Sequence, residues 1–314
     1  MATEGGGKTV LAALLANAGV AVAKFVGFLL TGSSSMLAEA VHSVVDTSNE
    51  GLLLLGRRQS RRKATRAHPF GFGRERFFYG FIVALLLFSL GAAFAVYEGV
   101  EKVIEPHPVD SPLIAIIILV VALGFEGMSF RTAVRESEEV RGEGSWWRFI
   151  RNVKIPELPV VLLEDSAALT GLVLALAGVG LSVLTGNPVF DGIGTIGIGA
   201  TLGFVATVLI VEMKSLLIGE GAEPETLRTI VRELQRETVD RVIHIRTQYL
   251  GPEEILVAAK IALVPELSLR EVAGAIDAAE QRVREAVPTV NLIYLEPDLD
   301  RTPVRDEAVR PIDS

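Results

Sequence analysis

The sequence predicts an α-helical membrane protein, six transmembrane helices followed by a cytoplasmic α-β-β-α-β domain, and three observations carry that prediction. Half of the 314 residues are hydrophobic and the mean hydropathy is +0.43, too apolar for an ordinary soluble chain of this length. Apolar runs of spanning length recur near residues 8–31, 36–56, 77–100, 112–134, 157–185 and 190–218, and about 20 residues suffice to cross a hydrocarbon core. After about residue 219 the apolar runs shorten and Glu, Arg and Asp become frequent, so a soluble unit follows. The expected domains are therefore 1–219 in the membrane, 220–300 outside it, and a charged, Pro-containing tail at 301–314 that is expected to be disordered.

Charge on the connections sets the orientation. "TGSSS", "EKVIEPHPVDSP" and "TGNP", which follow the first, third and fifth runs, contain one Lys between them. "RRQSRRKATRAHPFGFGRER" after the second run has eight Arg or Lys, and "RTAVRESEEVRGEGSWWRFIRNVK" after the fourth has six. Short basic connections mark the cytoplasmic side, so both termini and the soluble unit are expected there. The opening "MATEGGGKTV" has one Lys and no small-residue cleavage signal, and no removable signal peptide is expected. Trp146 and Trp147 beside Arg148 and Arg151 suit a segment lying at the headgroups.

In the soluble unit, "AEPETLRTIVRELQRE" has helical periodicity. "DRVIHIRTQY" and "EEILVAAKIALV" alternate like strands around "LGPE", "SLREVAGAIDAAEQRVREAV" is helical again, and "TVNLIYLE" is a last strand. Two helices on one face of a three-stranded sheet follow from that order.

The second run raises the question of function, because "MLAEAVHSVVDTSNE" carries Glu39, His42, Asp46, Asn49 and Glu50 into an otherwise apolar helix. A central Asp costs about 2.5 to 3.5 kcal/mol on insertion scales, so such groups face a cavity, a partner or a substrate path. His42 and Asp46 are four apart and share a helix face, either as a pair that ties helices together or as two ligands of a cation. Glu164 and Asp165 interrupt the fifth run in "VVLLEDSAALTG". Neighbours on a helix point about 100° apart, so one is expected to line the path and the other to pair with a Ser or Asn. With no Cys in the chain, thiolate ligands and disulfides are excluded. A His, an Asp and a third carboxylate form a nitrogen-and-oxygen site suited to a divalent transition metal, zinc being a good match. No other cofactor and no nucleic-acid partner are expected.

Other motifs fail. "GIGTIG" at Gly192–Gly197 spells a dinucleotide loop but lies inside an apolar helix with no strand before it, and reads as a glycine face for close helix packing. "GGGKT" lacks the first Gly of a phosphate loop, because position 2 is Ala2. His68 and His244 are isolated, and surface or turn-supporting roles are expected of them; His107, between two prolines in a loop on the far side, carries less signal still. Ser43 and Ser166 beside acids do not make a hydrolase, which would need a base and a substrate groove.

Taken together, "SSSMLAEAVHSVVD", "HPFGFGRERFF", "EDSAAL" and the α-β-β-α-β unit resemble the cation diffusion facilitators, over roughly residues 8–298. That resemblance implies a homodimer held partly through a ferredoxin-like cytoplasmic domain, and export of a divalent cation, zinc above all, against protons. It also implies two ligands four apart on each of the second and fifth helices. His42 and Asp46 match; Asp165 matches, but four before it stands Val161, which cannot bind metal. Glu164, Asn17, Asn49 or water is expected to substitute. The family's second loop His falls on Phe72, and of its soluble-domain ligands only His244 remains, with Ala259, Tyr294 and Glu296 near the other positions. That unit is therefore expected to dimerise without strong metal binding. The alternatives are manganese, cobalt or iron as the main cation, or a membrane-bound metal sensor that signals through the soluble domain.

Overall fold

The structure, a computed structural model, describes residues 5–298, with side chains from residue 18 onward; the tail expected at 301–314 and the side chain of Asn17 lie outside the described residues. By contacts the chain divides into two compact units. One runs to Arg58 and resumes at Arg76–Lys214; the other takes Gln59–Glu75 and the chain from Ser215 on. The second unit thus includes the basic connection at 59–75, which a linear boundary at 219 leaves with the membrane helices.

The first unit is helical. Helices α1 (Gly5–Thr31) and α2 (Ser34–Ser60) are followed by α3 (Glu75–Leu86), a π-helical stretch Leu87–Ala93, and α4 (Phe94–Ile104). Then come α5 (Pro112–Arg141), a short α6 (Trp146–Asn152), α7 (Glu157–Thr185) and α8 (Val189–Ile218). By length and hydropathy Glu75–Ile104, Pro112–Arg141, Glu157–Thr185 and Val189–Ile218 are able to cross a membrane, and Ala18–Thr31 is a shorter apolar stretch. Helix α2 is as long as α1 but is diluted by its own acids, amides and C-terminal arginines.

Local chemistry sets the helix ends. Gly32, at φ +60°, takes the left-handed position after α1 and donates its N–H to the Phe28 carbonyl, a conformation glycine adopts without steric cost. Ser33 Oγ accepts from Met36 N at 3.3 Å, as an N-cap does. The other free donors of the first turn of α2 are met from α8: Asp191 accepts from Ser34 N at 3.0 Å, Ser35 N at 3.4 Å and Ser33 Oγ at 3.0 Å. A carboxylate at a helix N-terminus satisfies the unpaired N–H groups and the positive end of the dipole together. Lys102 of α4, fully buried, donates to the Gly32 carbonyl and to His107 Nδ1 and comes within 3.9 Å of Asp191, so the one Lys of these connections is interior. At the opposite end Arg76 makes two 2.7 Å bonds to Glu157, a bidentate pair tying α3 to α7.

Helix α8 packs through its glycines, as the sequence pattern implies. A Cβ on Gly192 would lie 2.9 Å from the Gly99 carbonyl, one on Gly199 would lie 2.8 Å from Val96 N, and one on Gly194 would lie 2.9 Å from the Leu174 carbonyl. Backbone-to-backbone approach of this kind is how helices associate where lipid supplies no hydrophobic drive. Helix α6 is capped by Ser145 and turns Phe149 and Ile150 into a cluster with Ala133 and Leu162, while Trp147 faces outward. Arg141 stacks on the Trp146 ring at 4.4 Å.

In the second unit, α9 (Pro224–Leu234), β1 (Val239–Gly251), β2 (Glu254–Leu263), α10 (Leu269–Ala286) and β3 (Val290–Asp298) form a sheet of order β1-β2-β3. Strands β1 and β2 are an antiparallel hairpin; β3 lies parallel to β2, as the crossover through α10 requires. Alternate residues Ile255, Val257, Ala259 and Ile261 of β2 are buried with Ile230 and Leu234 of α9 and Ala279 and Val283 of α10. Ser268 and Glu271 close a capping box at the start of α10. His68 supports a turn, exchanging backbone bonds with Thr65, and its ring stacks on Phe72, which also lies under Arg62. Within the same unit Gly73 packs on the hairpin turn, where a Cβ would meet the Leu250 carbonyl at 2.6 Å.

The glycine contacts generate a stability prediction. Gly99→Ala places a methyl 2.7 Å from Ile196 N and 2.8 Å from the Gly192 carbonyl, atoms that cannot swing aside. It should lower stability by about 1–3 kcal/mol, read as thermal unfolding in detergent. Gly124→Ala, with nothing within 4 Å of its Cβ, is the control and should be neutral or stabilising. Equal behaviour of the two would mean that close approach at Gly99 does not fix these helices.

Candidate metal path between the helices

The polar residues of α2 divide between two neighbouring environments. Toward α1, the Lys24 ammonium, with 0% exposure, donates to Glu39 Oε2 at 3.0 Å and Ser43 Oγ at 2.8 Å, and lies 3.7 Å from Glu126 Oε1 of α5. Glu39 is equally enclosed, and its other oxygen faces Gly171 of α7, where a Cβ would come within 2.5 Å of it. Removing one member of such a buried pair costs about 3–5 kcal/mol, because it strands the other charge.

Toward α7, Asp46, Glu50, Glu126, Glu164 and Asp165 line a small cavity of about 30 Å³ together with Val20, Ser43 and Val161. That exceeds the roughly 10–15 Å³ one water needs by the same kind of measure, so there is room for an ion. Asn49, fully buried on α2, donates its amide to Glu164 Oε1, and Ser129 of α5 donates to Asp165 Oδ2 at 2.9 Å. The expectation that only one of Glu164 and Asp165 faces the path is corrected here: both line the cavity and both are paired. Each carboxylate has two oxygens, so one can be held by a neighbouring helix while the group still borders the cavity.

His42 has 1% exposure and sits 3.4 Å from Asp46 Oδ1 through Nδ1. Neither ring nitrogen makes a hydrogen bond among the described residues, and nor does Asp46 Oδ1. A buried imidazole normally finds a partner, and its lack of one beside an acidic cavity is what a metal-accepting side chain requires. The donors do not close on one point: among the described residues no three His, Asp or Glu side chains form a compact ligand group. Val161 borders the cavity but offers no donor atom.

Sequence reasoning missed Lys24 and Glu126. Both are single charges inside apolar runs, as Asp46 is, but neither has a second ligand-type residue four positions away to mark it. Asp191 went unread for the same reason. In the second unit His244 sits half-buried on β1 opposite Lys260, Tyr294 is exposed, and Glu296 is engaged by Lys260 Nζ at 3.0 Å.

The family model described as the cation efflux transmembrane domain matches residues 10–218, which includes every cavity residue named above. The chain belongs to the cation efflux family. Among its curated relatives, the human "proton-coupled zinc antiporter SLC30A9, mitochondrial" is 34% identical over 82% of this chain and 46% of that protein. Metal tolerance protein C4 of Arabidopsis thaliana is 31% identical over 81% of this chain and 56% of that protein. Magnetosome protein MamB of Magnetospirillum gryphiswaldense is 23% identical over 85% of each. The chain spans about half the length of the first two.

For this cation efflux chain, the place of Val161 at the cavity gives a direct test. Val161→His puts an imidazole one turn before Asp165 and should tighten equilibrium zinc binding. Loss of an outer partner of a ligand already shifts metal affinity about 10- to 100-fold, so a gained ligand should move it at least tenfold. An unchanged dissociation constant would mean that residue 161 does not reach the ion.

Proposed function

We propose that the chain is a secondary transporter that exports a divalent metal cation, zinc foremost, from the cytoplasm in exchange for protons. The observation that carries this reading is the small cavity at Asp46, Glu164 and Asp165, with the buried His42 3.4 Å from Asp46 and without a hydrogen-bond partner among the described residues. The family and the name of the human relative support the same reading.

In this proposal six helices span the membrane, both termini are cytoplasmic, and His42, Asp46, Asp165 and Glu164 hold the cation. Imidazole and carboxylate bind metal only when deprotonated, so protons arriving from the far side displace the ion and couple export to proton import. Asn49 and Ser129 fix two of the carboxylates without neutralising them, as partners of metal ligands do. Among the described residues neither of the two serines beside acids is bonded to a base: Ser43 accepts from Lys24, and Ser166 donates to the Leu162 carbonyl. The chain is read as a transporter and not an enzyme, working as a homodimer through its second unit.

Purified protein in proton-loaded liposomes should take up zinc as protons leave. His42→Ala, Asp46→Ala and Asp165→Asn should each reduce that flux at least a hundredfold while the protein remains folded by size-exclusion chromatography. Wild-type rates in any of these variants would remove that residue from the path. Inactivity of Glu164→Gln with a normal Asp165→Asn would exchange the roles of the two carboxylates.

Residues 220–300 expressed alone should sediment as a dimer at micromolar concentration with or without zinc. A monomer that pairs only after zinc is added would point to a metal site in that unit.

A further inference from the structure

We propose that Glu126 of α5 is a further metal-binding carboxylate of the transport site and that the Lys24 ammonium competes with the metal for it. This rests on the transporter reading above and adds to it the donor that Val161 cannot supply.

Three observations lead there. Glu126 borders the cavity from a helix that carries none of the ligands drawn from the second and fifth spanning helices. Its orientation is fixed: Ser129, one turn later on the same face of α5, bonds Asp165 of α7, so that face is turned toward the cavity. Meanwhile Asp46 Oδ1 and both nitrogens of His42 have no hydrogen-bond partner among the described residues, and the His42 ring, with 1% exposure, is aimed at Asp46. Acidic groups alone would not define a site, but an enclosed imidazole without a partner beside them does call for a cation.

Lys24 supplies the second half. Its strong contacts are with Glu39 and Ser43, at 3.0 and 2.8 Å; the 3.7 Å separation from Glu126 is too long for a hydrogen bond. Glu126 can therefore be given up to a metal ion while the ammonium keeps Glu39 and never becomes an unpaired buried charge. Glu39 faces Gly171 and does not border the cavity, so of the two carboxylates around Lys24 only Glu126 is placed to change partners. A tethered ammonium next to the site lowers its affinity for a divalent cation and so favours release. It is the means by which a site with this many carboxylates avoids holding its cargo too tightly.

The test is zinc binding by isothermal titration calorimetry on full-length protein in detergent, with liposome flux on the same preparations. Glu126→Gln should weaken zinc binding at least tenfold, the scale set by partners of metal ligands. Lys24→Gln combined with Glu39→Gln removes the buried pair without changing net charge. It should bind zinc at least fivefold more tightly and show a lower maximal flux. If Lys24 and Glu126 only tie α1 to α5, both variants will unfold at lower temperature with wild-type zinc affinity, and the proposal is overturned. Should Glu126→Gln fail to fold, the double variant decides: tighter binding supports the proposal and unchanged binding sinks it. Wild-type protein that neither binds nor moves zinc would overturn the transporter reading itself. Wild-type binding with no change in Glu126→Gln would overturn this proposal alone.

Discussion

The enclosure of the Lys24 ammonium among Glu39, Ser43 and Glu126 is the interaction on which the rest of the helical unit depends. Helix α2 carries more acid than an apolar bundle tolerates unaided, and one of those acids is neutralised by a cation from α1 instead of by solvent. Desolvating both members is expensive, and a pair so placed specifies an arrangement more than it adds net stability. What it specifies is the rotation of α2: with Glu39 turned toward Lys24, His42 and Asp46 are directed to the side where α7 brings Glu164 and Asp165. The ion pair and the cavity are thus consequences of one helix orientation.

The remaining polar groups obey the same accounting. Backbone and side-chain donors in a lipid-facing bundle need partners within the protein. Asp191 serves the first turn of α2, Asn49 serves Glu164, Ser129 serves Asp165, and threonines such as Thr195 bond back to carbonyls four residues earlier. The side chains lacking partners are therefore informative by contrast, and His42 and Asp46 stand among them. The glycines of α8 contribute differently, by letting backbones meet so that the bundle closes without large side chains at the contacts.

Much of this is legible in the sequence. Run lengths placed the helix starts within three residues and the ends within seven, because spanning length and hydropathy are properties of the chain itself; 157–185 is read as it stands in α7. The α-β-β-α-β order followed from alternation and capping residues, and His42 with Asp46 from a spacing of four. The π-helical stretch at Leu87–Ala93 left no mark in the sequence, since its hydrogen-bond shift depends on how α3 and α4 seat against neighbours. Lys24 and Glu126 were legible one at a time as costly charges, but their meeting depends on α1 lying against α5, and no local pattern encodes that. The pairing of Glu164 and Asp165 to two different helices was hidden for the same reason: the 100° between adjacent side chains becomes useful only when both partners are in place.

The clamp of Asp191 on Ser34 and Ser35 makes α2 a lever with a fixed end. At 1.5 Å per residue, His42 stands roughly 10 Å and Asn49 roughly 20 Å along it from Ser35. A tilt of about 5° about that end would move His42 by about 1 Å and Asn49 by about 2 Å, from the same rise per residue. His42 and Asp46 both ride on α2 and would keep their mutual contact, whereas the Asn49 bond reaches across to Glu164 of α7 and would take up the displacement.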